Sequence, residues 1–253
     1  DEQQRRAVTS EGRHILVMAP PGSGKTLVLT RRIARLIQDG ADPGEILAVT
    51  FTNRAADEML SRVEALAGKQ AAGARIGTIH GFCRRFLKKI MPDLKLYGRF
   101  EQSELLKELV VRNPDSAIDL ISSIKNLPPG LRGAADMEDL EVFEAYQARM
   151  KKLGAVDLDD LIIETIDILM SKKARIDPAI AHIMVDEYQD VNFSQALLIG
   201  LISLNAKGLF AIGDPDQSIY AFRGASLKSF IDFQNNHTDT QIIKLAVNYR
   251  SSS

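Results

Sequence analysis

One octapeptide limits what this chain can fold into more than any other feature. Ala19-Pro20-Pro21-Gly22-Ser23-Gly24-Lys25-Thr26 follows the short apolar run Ile15-Leu16-Val17-Met18. Directly after it, Leu29, Ile33, Leu36 and Ile37 recur at helical spacing through residue 37. Strand, glycine loop and helix in that order fit the pattern G-x-x-x-x-G-K-[ST], with Ala19 in place of the first glycine. Glycines in such a loop let successive backbone N–H groups turn inward around a β-phosphate. Lys25 then reaches the β and γ oxygens, and the Thr26 hydroxyl is placed to ligate Mg²⁺. Pro21, Gly22, Ser23, Gly24, Lys25 and Thr26 are therefore the expected triphosphate cradle.

The same rhythm continues. Ile46-Leu47-Ala48-Val49 precedes a helical stretch over 53–66, with Asn53 read as its N-cap and Met59, Val63 and Leu66 on one face. A short strand containing Ile76 precedes a helix over 82–90. Alternating units of this kind imply right-handed crossovers and a parallel sheet covered on both faces. From 91 to 154 the pattern changes to helical stretches over 102–112, 116–124 and 138–153, with no strand expected. Nearly continuous apolar runs return at 180–185 and 208–212, as in buried parallel strands. The fold expected is an α/β P-loop domain over 1–90 plus 155–240, interrupted by an all-helical insertion over 91–154.

Two of those runs end in acids. Ile183-Met184-Val185 is followed by Asp186-Glu187, and Phe210-Ala211-Ile212 by Gly213-Asp214-Pro215-Asp216-Gln217. Polar residues at the carboxyl edge of a parallel sheet emerge beside the phosphate loop. Asp186 is then placed to hold the Mg²⁺ shell, and Glu187 to orient and deprotonate an attacking water. Gln217, neutral and bidentate, can sense a γ-phosphate. These residues point to a nucleoside triphosphatase.

Composition removes several competing classes. The 253 residues carry 32 Lys+Arg against 33 Asp+Glu, so any attraction to nucleic acid must come from a local face. No apolar run approaches the ~20 residues of a membrane-spanning helix, so no membrane partner is expected and the chain is read as cytoplasmic. Cys83, the single cysteine, forms no intrachain disulfide and cannot build a zinc site alone.

A family resemblance enters here. In order, the chain carries Gln4-Arg5-Arg6-Ala7-Val8, the glycine loop, Thr50-Phe51-Thr52-Asn53-Arg54-Ala55-Ala56 and Gly77-Thr78-Ile79-His80-Gly81-Phe82. Asp186-Glu187-Tyr188-Gln189-Asp190, Gly213-Asp214-Pro215-Asp216-Gln217-Ser218-Ile219-Tyr220-Ala221-Phe222-Arg223-Gly224 and Asn248-Tyr249-Arg250-Ser251 follow. These resemble the Q motif and motifs I, Ia, Ib, II, III and IV of the UvrD/Rep-like superfamily 1 DNA helicases. The resemblance implies a RecA-like ATP-binding domain and a 3′–5′ translocase that unwinds duplex. It implies that 241–253 opens a second RecA-like domain, the remainder lying beyond this chain, and that such a fragment is weakly active or inactive. By residue matching, Gln4 reads the adenine edge and Tyr249 stacks on the base, while Leu27 stands where many members carry Arg. Lys25 and Thr26 take the phosphates and Mg²⁺, Asp186 the metal, Glu187 the water, and Gln217 and Arg250 the γ-phosphate.

Strand binding has its own chemical argument. Sequence-tolerant grip on single strands needs aromatic faces for stacking and small donors for phosphates. Phe51, His80, Tyr220 and Phe222, flanked by Thr52, Asn53, Thr78 and Arg223, supply both, and imply single-stranded DNA or a single/double-strand junction as partner. Core packing is the reading for Phe82, Phe86 and Phe210. His80 serves equally as a structural histidine, and Arg84, Arg85, Lys88 and Lys89 serve equally as a solvated face or as phosphate contacts. Val156-Asp157-Leu158-Asp159-Asp160-Leu161 resembles an Asp-rich family element, but acids opening a helix over 158–170 account for it without a catalytic role. An ATP-gated repair scaffold without motor activity, or the helicase part of a RecB- or AddA-like helicase-nuclease, remain alternatives.

Overall fold

The computed structural model describes residues 1–134, 136–176, 179–217, 227–237 and 239–249. Helix α1 (Glu2–Thr9) leads into β1 (His14–Met18) and α2 (Lys25–Gln38). The unit repeats as β2 (Ile46–Thr50) and α3 (Asn53–Ala67), and then as β3 (Arg75–Thr78) and α4 (Ile79–Ile90). Next come β4 (Lys95–Leu96), α5 (Arg99–Glu108), α6 (Pro114–Lys125), α7 (Met137–Leu153) and β5 (Ala155–Val156). Then α8 (Leu158–Met170), β6 (His182–Val185), α9 (Phe193–Ser203), β7 (Gly208–Gly213), α10 (Leu227–Asn236) and β8 (Gln241–Lys244) complete the order.

Among the described residues six strands form one parallel sheet in the order β3-β2-β6-β7-β1-β8. The continuous apolar runs are explained by alternation between two buried faces. Leu16, Leu47, Val49, Ile183, Val185, Leu209 and Ala211 pack toward α4, α8, α9 and α10. Ile15, Val17, Ile46, Ala48, Met184, Phe210 and Ile212 pack toward α1, α2 and α3. Phe82, Phe86 and Phe210 lie in these cores, as expected. A third cluster, centred on Leu106, Ile121 and Tyr146, belongs to α5, α6 and α7.

Register sets the site. Met18 lies opposite Gly213, and Val185 opposite Ala211. The loops leaving the carboxyl ends of β1, β6 and β7 therefore start side by side, where an open α/β sheet binds ligands.

Three expectations are corrected. Residues 241–244, expected to begin a second domain, are β8, the edge strand beside β1, and Leu245 N–H extends the ladder to the Met18 carbonyl at 2.9 Å. Ile243 and Leu245 bury on the α1/α2 side, which draws the segment into this sheet. The stretch expected to lack strands contains β4, paired parallel with β5; two residues are too short to leave a periodic trace. Thr52, not Asn53, caps α3: its backbone is extended and its hydroxyl accepts the Ala55 N–H at 3.1 Å.

Candidate active site

The glycine loop is shaped by its backbone. Gly22 and Gly24 have φ of 76° and 86°, in the left-handed region that favours glycine. Ala19, where the common pattern has glycine, is fully buried, and its N–H donates to the Gly213 carbonyl at 2.9 Å, pinning the loop to the end of β7. Helix α2 begins at Lys25 with no side-chain cap and no acid in its first turn. Its open N–H groups and the positive end of its dipole therefore face whatever the loop encloses.

These elements border a cavity of about 610 Å³. Pro21, Gly22, Gly24, Lys25, Thr26, Glu187, Gln217 and Tyr249 all line it. The structure thus brings together residues from both ends of the chain. Tyr249 N–H donates to the Gly22 carbonyl at 2.8 Å, and the Tyr249 hydroxyl bonds the Asp1 carboxylate. Leu27 also lines this cavity. Ser23 and Gln4 are placed differently. Ser23 is buried, with its hydroxyl donating to the Pro20 carbonyl at 2.7 Å, while the Gln4 amide donates to the Ser23 carbonyl at 2.9 Å. Both brace the loop from outside the cavity lining.

At the end of β6 the backbone turns sharply. Glu187 adopts φ 47°, ψ 48°, a left-handed conformation costing a β-carbon-bearing residue ~1–2 kcal/mol. The Asp186 carboxylate accepts the Glu187 N–H at 3.0 Å, and Lys25 Nζ sits 3.0 Å from Glu187 Oε2. Gln189 donates to the same carboxylate oxygen at 2.9 Å, and its own carbonyl accepts the Asp214 N–H at 2.9 Å. Asp214 in turn organises the following turn: its Oδ1 accepts Asp216 N–H and its carbonyl accepts Gln217 N–H.

Acidity here is unbalanced. Desolvation and the neighbouring Glu187 charge push the Asp186 carboxyl up to about 7, Lys25 opposing. Desolvation and Glu187 likewise push Asp190 up to about 6, and Asp190 Oδ1 is buried without a hydrogen-bond partner. Three carboxylates beside one lysine suit an added hard cation, which would neutralise the surplus. Among the described residues no three His, Cys, Asp or Glu groups form a ready-made cage.

Glu187 also borders a second cavity, of about 190 Å³, lined by Asp186, Phe51, His80 and Asp190. Phe51 and His80 continue into a third, of about 500 Å³, walled by Arg99, Asp119, Ser122 and Asn126 of the α5–α7 unit. Phe51 is 41 % exposed, whereas burial lowers the His80 pKa against a smaller pull from Asp159, favouring a neutral ring. The Thr52 and Thr78 hydroxyl oxygens cap helices by accepting the Ala55 and Gly81 N–H, which leaves each O–H able to donate. Asn53 is exposed on the first turn of α3. Arg84, Arg85, Lys88 and Lys89 are exposed on α4. Tyr220, Phe222, Arg223 and Arg250 lie outside the described residues.

Several site residues escape sequence reading. Glu58 and Arg62 line the loop cavity from α3, where an i,i+4 ion pair resembles any solvated helix face. Lys125 is buried against Asp157 at 2.5 Å and Asp160 at 2.7 Å, with the Tyr146 hydroxyl on Asp157 at 3.0 Å. Asp157 and Asp160 form the capping box of α8, so the helix-start reading of these acids holds.

Known proteins have similar sequences. The ATP-dependent DNA helicase UvrD1 of Mycobacterium tuberculosis is 38% identical over 99% of this chain and 37% of its own length. The ATP-dependent DNA helicase PcrA of Leuconostoc citreum is 37% identical over 100% of the chain and 37% of its own. PcrA of Staphylococcus aureus is 35% identical over 99% and 38%. The chain thus spans well under half the length of these relatives. No helix among the described residues is long and apolar enough to cross a membrane. The family description "UvrD/REP helicase N-terminal domain" matches residues 1–238, covering the loop, both acidic strand ends and the α5–α7 unit between them, and the chain belongs to that family.

Proposed function

We propose that this chain binds Mg·ATP at the glycine loop and single-stranded DNA across Phe51 and His80, as the N-terminal part of a 3′–5′ DNA helicase. The observation that supports it is the Lys25–Glu187 ion pair: the lysine of the glycine loop and the acid after β6 meet at 3.0 Å and line one cavity. Each neutralises the other. Triphosphate oxygens compete for Lys25, and Glu187 is then released to accept a proton from water.

The N–H groups of the α2 first turn and Lys25 hold the phosphates, and Gln217, which lines the same cavity, orients the γ-phosphate. Tyr249 stacks on adenine, with Leu27 offering an apolar surface instead of an arginine. Gln4, anchored to the Ser23 carbonyl, keeps one amide N–H for the adenine edge. Thr26 and Asp186 would hold Mg²⁺, which shields phosphate charge and stabilises the charge that develops on transfer. Arg250 contacts the γ-phosphate by resemblance. Residues 1–90 and 155–244 act as the ATP-binding domain and 91–154 as its insertion. A second RecA-like domain supplies the opposing wall of the strand groove.

Glu187→Gln is the decisive variant. It should bind Mg·ATP within about threefold of wild type while turnover falls by about 10²–10³. Unchanged turnover would remove Glu187 from the chemistry. Stimulation of turnover by single-stranded DNA separates a motor from an ATP-gated scaffold, which would be indifferent. For this chain alone, basal turnover should be low.

A further inference from the structure

Gln189 has no role in the chemistry above, yet it is 2 % exposed and its side-chain amide is bonded at both ends beside the site. Its Nε2 donates to Glu187 Oε2 at 2.9 Å, and its Oε1 accepts Asp214 N–H at 2.9 Å. Room for that amide depends on Gly213, where a β-carbon would lie 2.3 Å from Gln189 Oε1 and 3.0 Å from the Tyr188 nitrogen. A methyl group there cannot coexist with the bridge. The backbone at the end of β7 is thus shaped around one amide from the end of β6.

The bridge completes a chain of contacts. Lys25 contacts Glu187, Glu187 contacts Gln189, Gln189 contacts Asp214, and Asp214 holds the turn that carries Gln217. Gln217 and Lys25 line the same cavity. Glu187 itself sits in a strained left-handed conformation, and its carboxylate is held by Lys25 and Gln189.

We propose that Gln189 is a positioning residue that locks the Glu187 carboxylate to the 214–217 turn, so that displacement of Lys25 by phosphate is transmitted to the end of β7. This rests on the nucleotide reading of the loop cavity. Both ends of the amide are needed. A donor alone would fix the carboxylate, and an acceptor alone would fix the turn, but neither would link them.

Hydrogen exchange over 208–217, with and without Mg·ATPγS, tests the link in wild type, Gln189→Met and Gln189→Asn. Met keeps the volume and loses both bonds; Asn keeps the amide and loses the reach. In wild type, nucleotide should change exchange at 214–217 by about tenfold. Both variants should bind nucleotide within about threefold of wild type but show no nucleotide-dependent change at the turn. A wild-type-sized response in Gln189→Met, or a wild type that binds nucleotide without responding at 214–217, overturns the proposal. Failure of both variants to fold also overturns it, by assigning Gln189 to packing alone. If wild type and Lys25→Ala bind nucleotide equally, or wild type not at all, the nucleotide reading itself is at fault.

Discussion

Two lysine–carboxylate pairs in this protein have the same chemistry and opposite settings. Lys25 and Glu187, 13 % and 34 % exposed, meet at the wall of an open cavity. Lys125 is 1 % exposed and held by Asp157 and Asp160, with the Tyr146 ring 5.2 Å from its ammonium. Water, salt and phosphate can reach the first pair and compete for either partner. The second is nearly closed off, its lysine side chain 1 % and its aspartate side chains 4 % and 9 % exposed, and those carboxylates also cap α8 and tie it to α6 and α7. Surroundings, more than the charges themselves, make one pair an exchangeable contact and the other a fixed joint.

The largest effect should come from the fixed joint. Lys125→Met leaves two carboxylates uncompensated in a buried site and should lower unfolding free energy by about 3–5 kcal/mol in chemical denaturation. Nucleotide affinity of the folded molecules should be unchanged, and a loss of affinity instead would dissolve the contrast. Lys25→Met should reverse the pattern. Mg·ATP affinity measured by calorimetry should fall by about 100-fold, or ~2.7 kcal/mol, while stability shifts by no more than about 1 kcal/mol. The smallest and most discriminating change is Glu187→Gly. Relief of the left-handed strain, partly offset by glycine's added freedom in the unfolded chain, should raise stability by about 1 kcal/mol or less while hydrolysis is lost. A destabilised Glu187→Gly would mean that the bond to Gln189 outweighs the strain.

Sequence reading reached the loop, the paired acids after β6 and the polar turn after β7 because each is a local signal. Glycines at required φ, a lysine at fixed offset, and acids directly after an apolar run need no distant partner to be recognised. It reached the two-faced sheet for the same reason, since Ile183-Met184-Val185 and Leu209-Phe210-Ala211-Ile212 are apolar at every position. The Lys125 joint was hidden because its partners stand 32 and 35 residues away and each acid already explains itself as a helix cap. Gln189 was hidden inside a recognised motif, where its neighbours carry the expected chemistry. The edge strand β8 was assigned elsewhere because Gln241-Ile242-Ile243-Lys244 fits the edge of any sheet.

Side-chain type and short-range spacing suffice to mark the glycine loop, the acids after β6 and a sheet of parallel strands. Tertiary structure alone decided that β1, β6 and β7 end side by side, that Lys25 faces Glu187 at 3.0 Å, and that one buried glutamine spans two strand ends. Those are consequences of strand order and register. They arise from burying two faces of one sheet at once, a condition that couples residues far apart in the chain and leaves no mark within any short stretch of it.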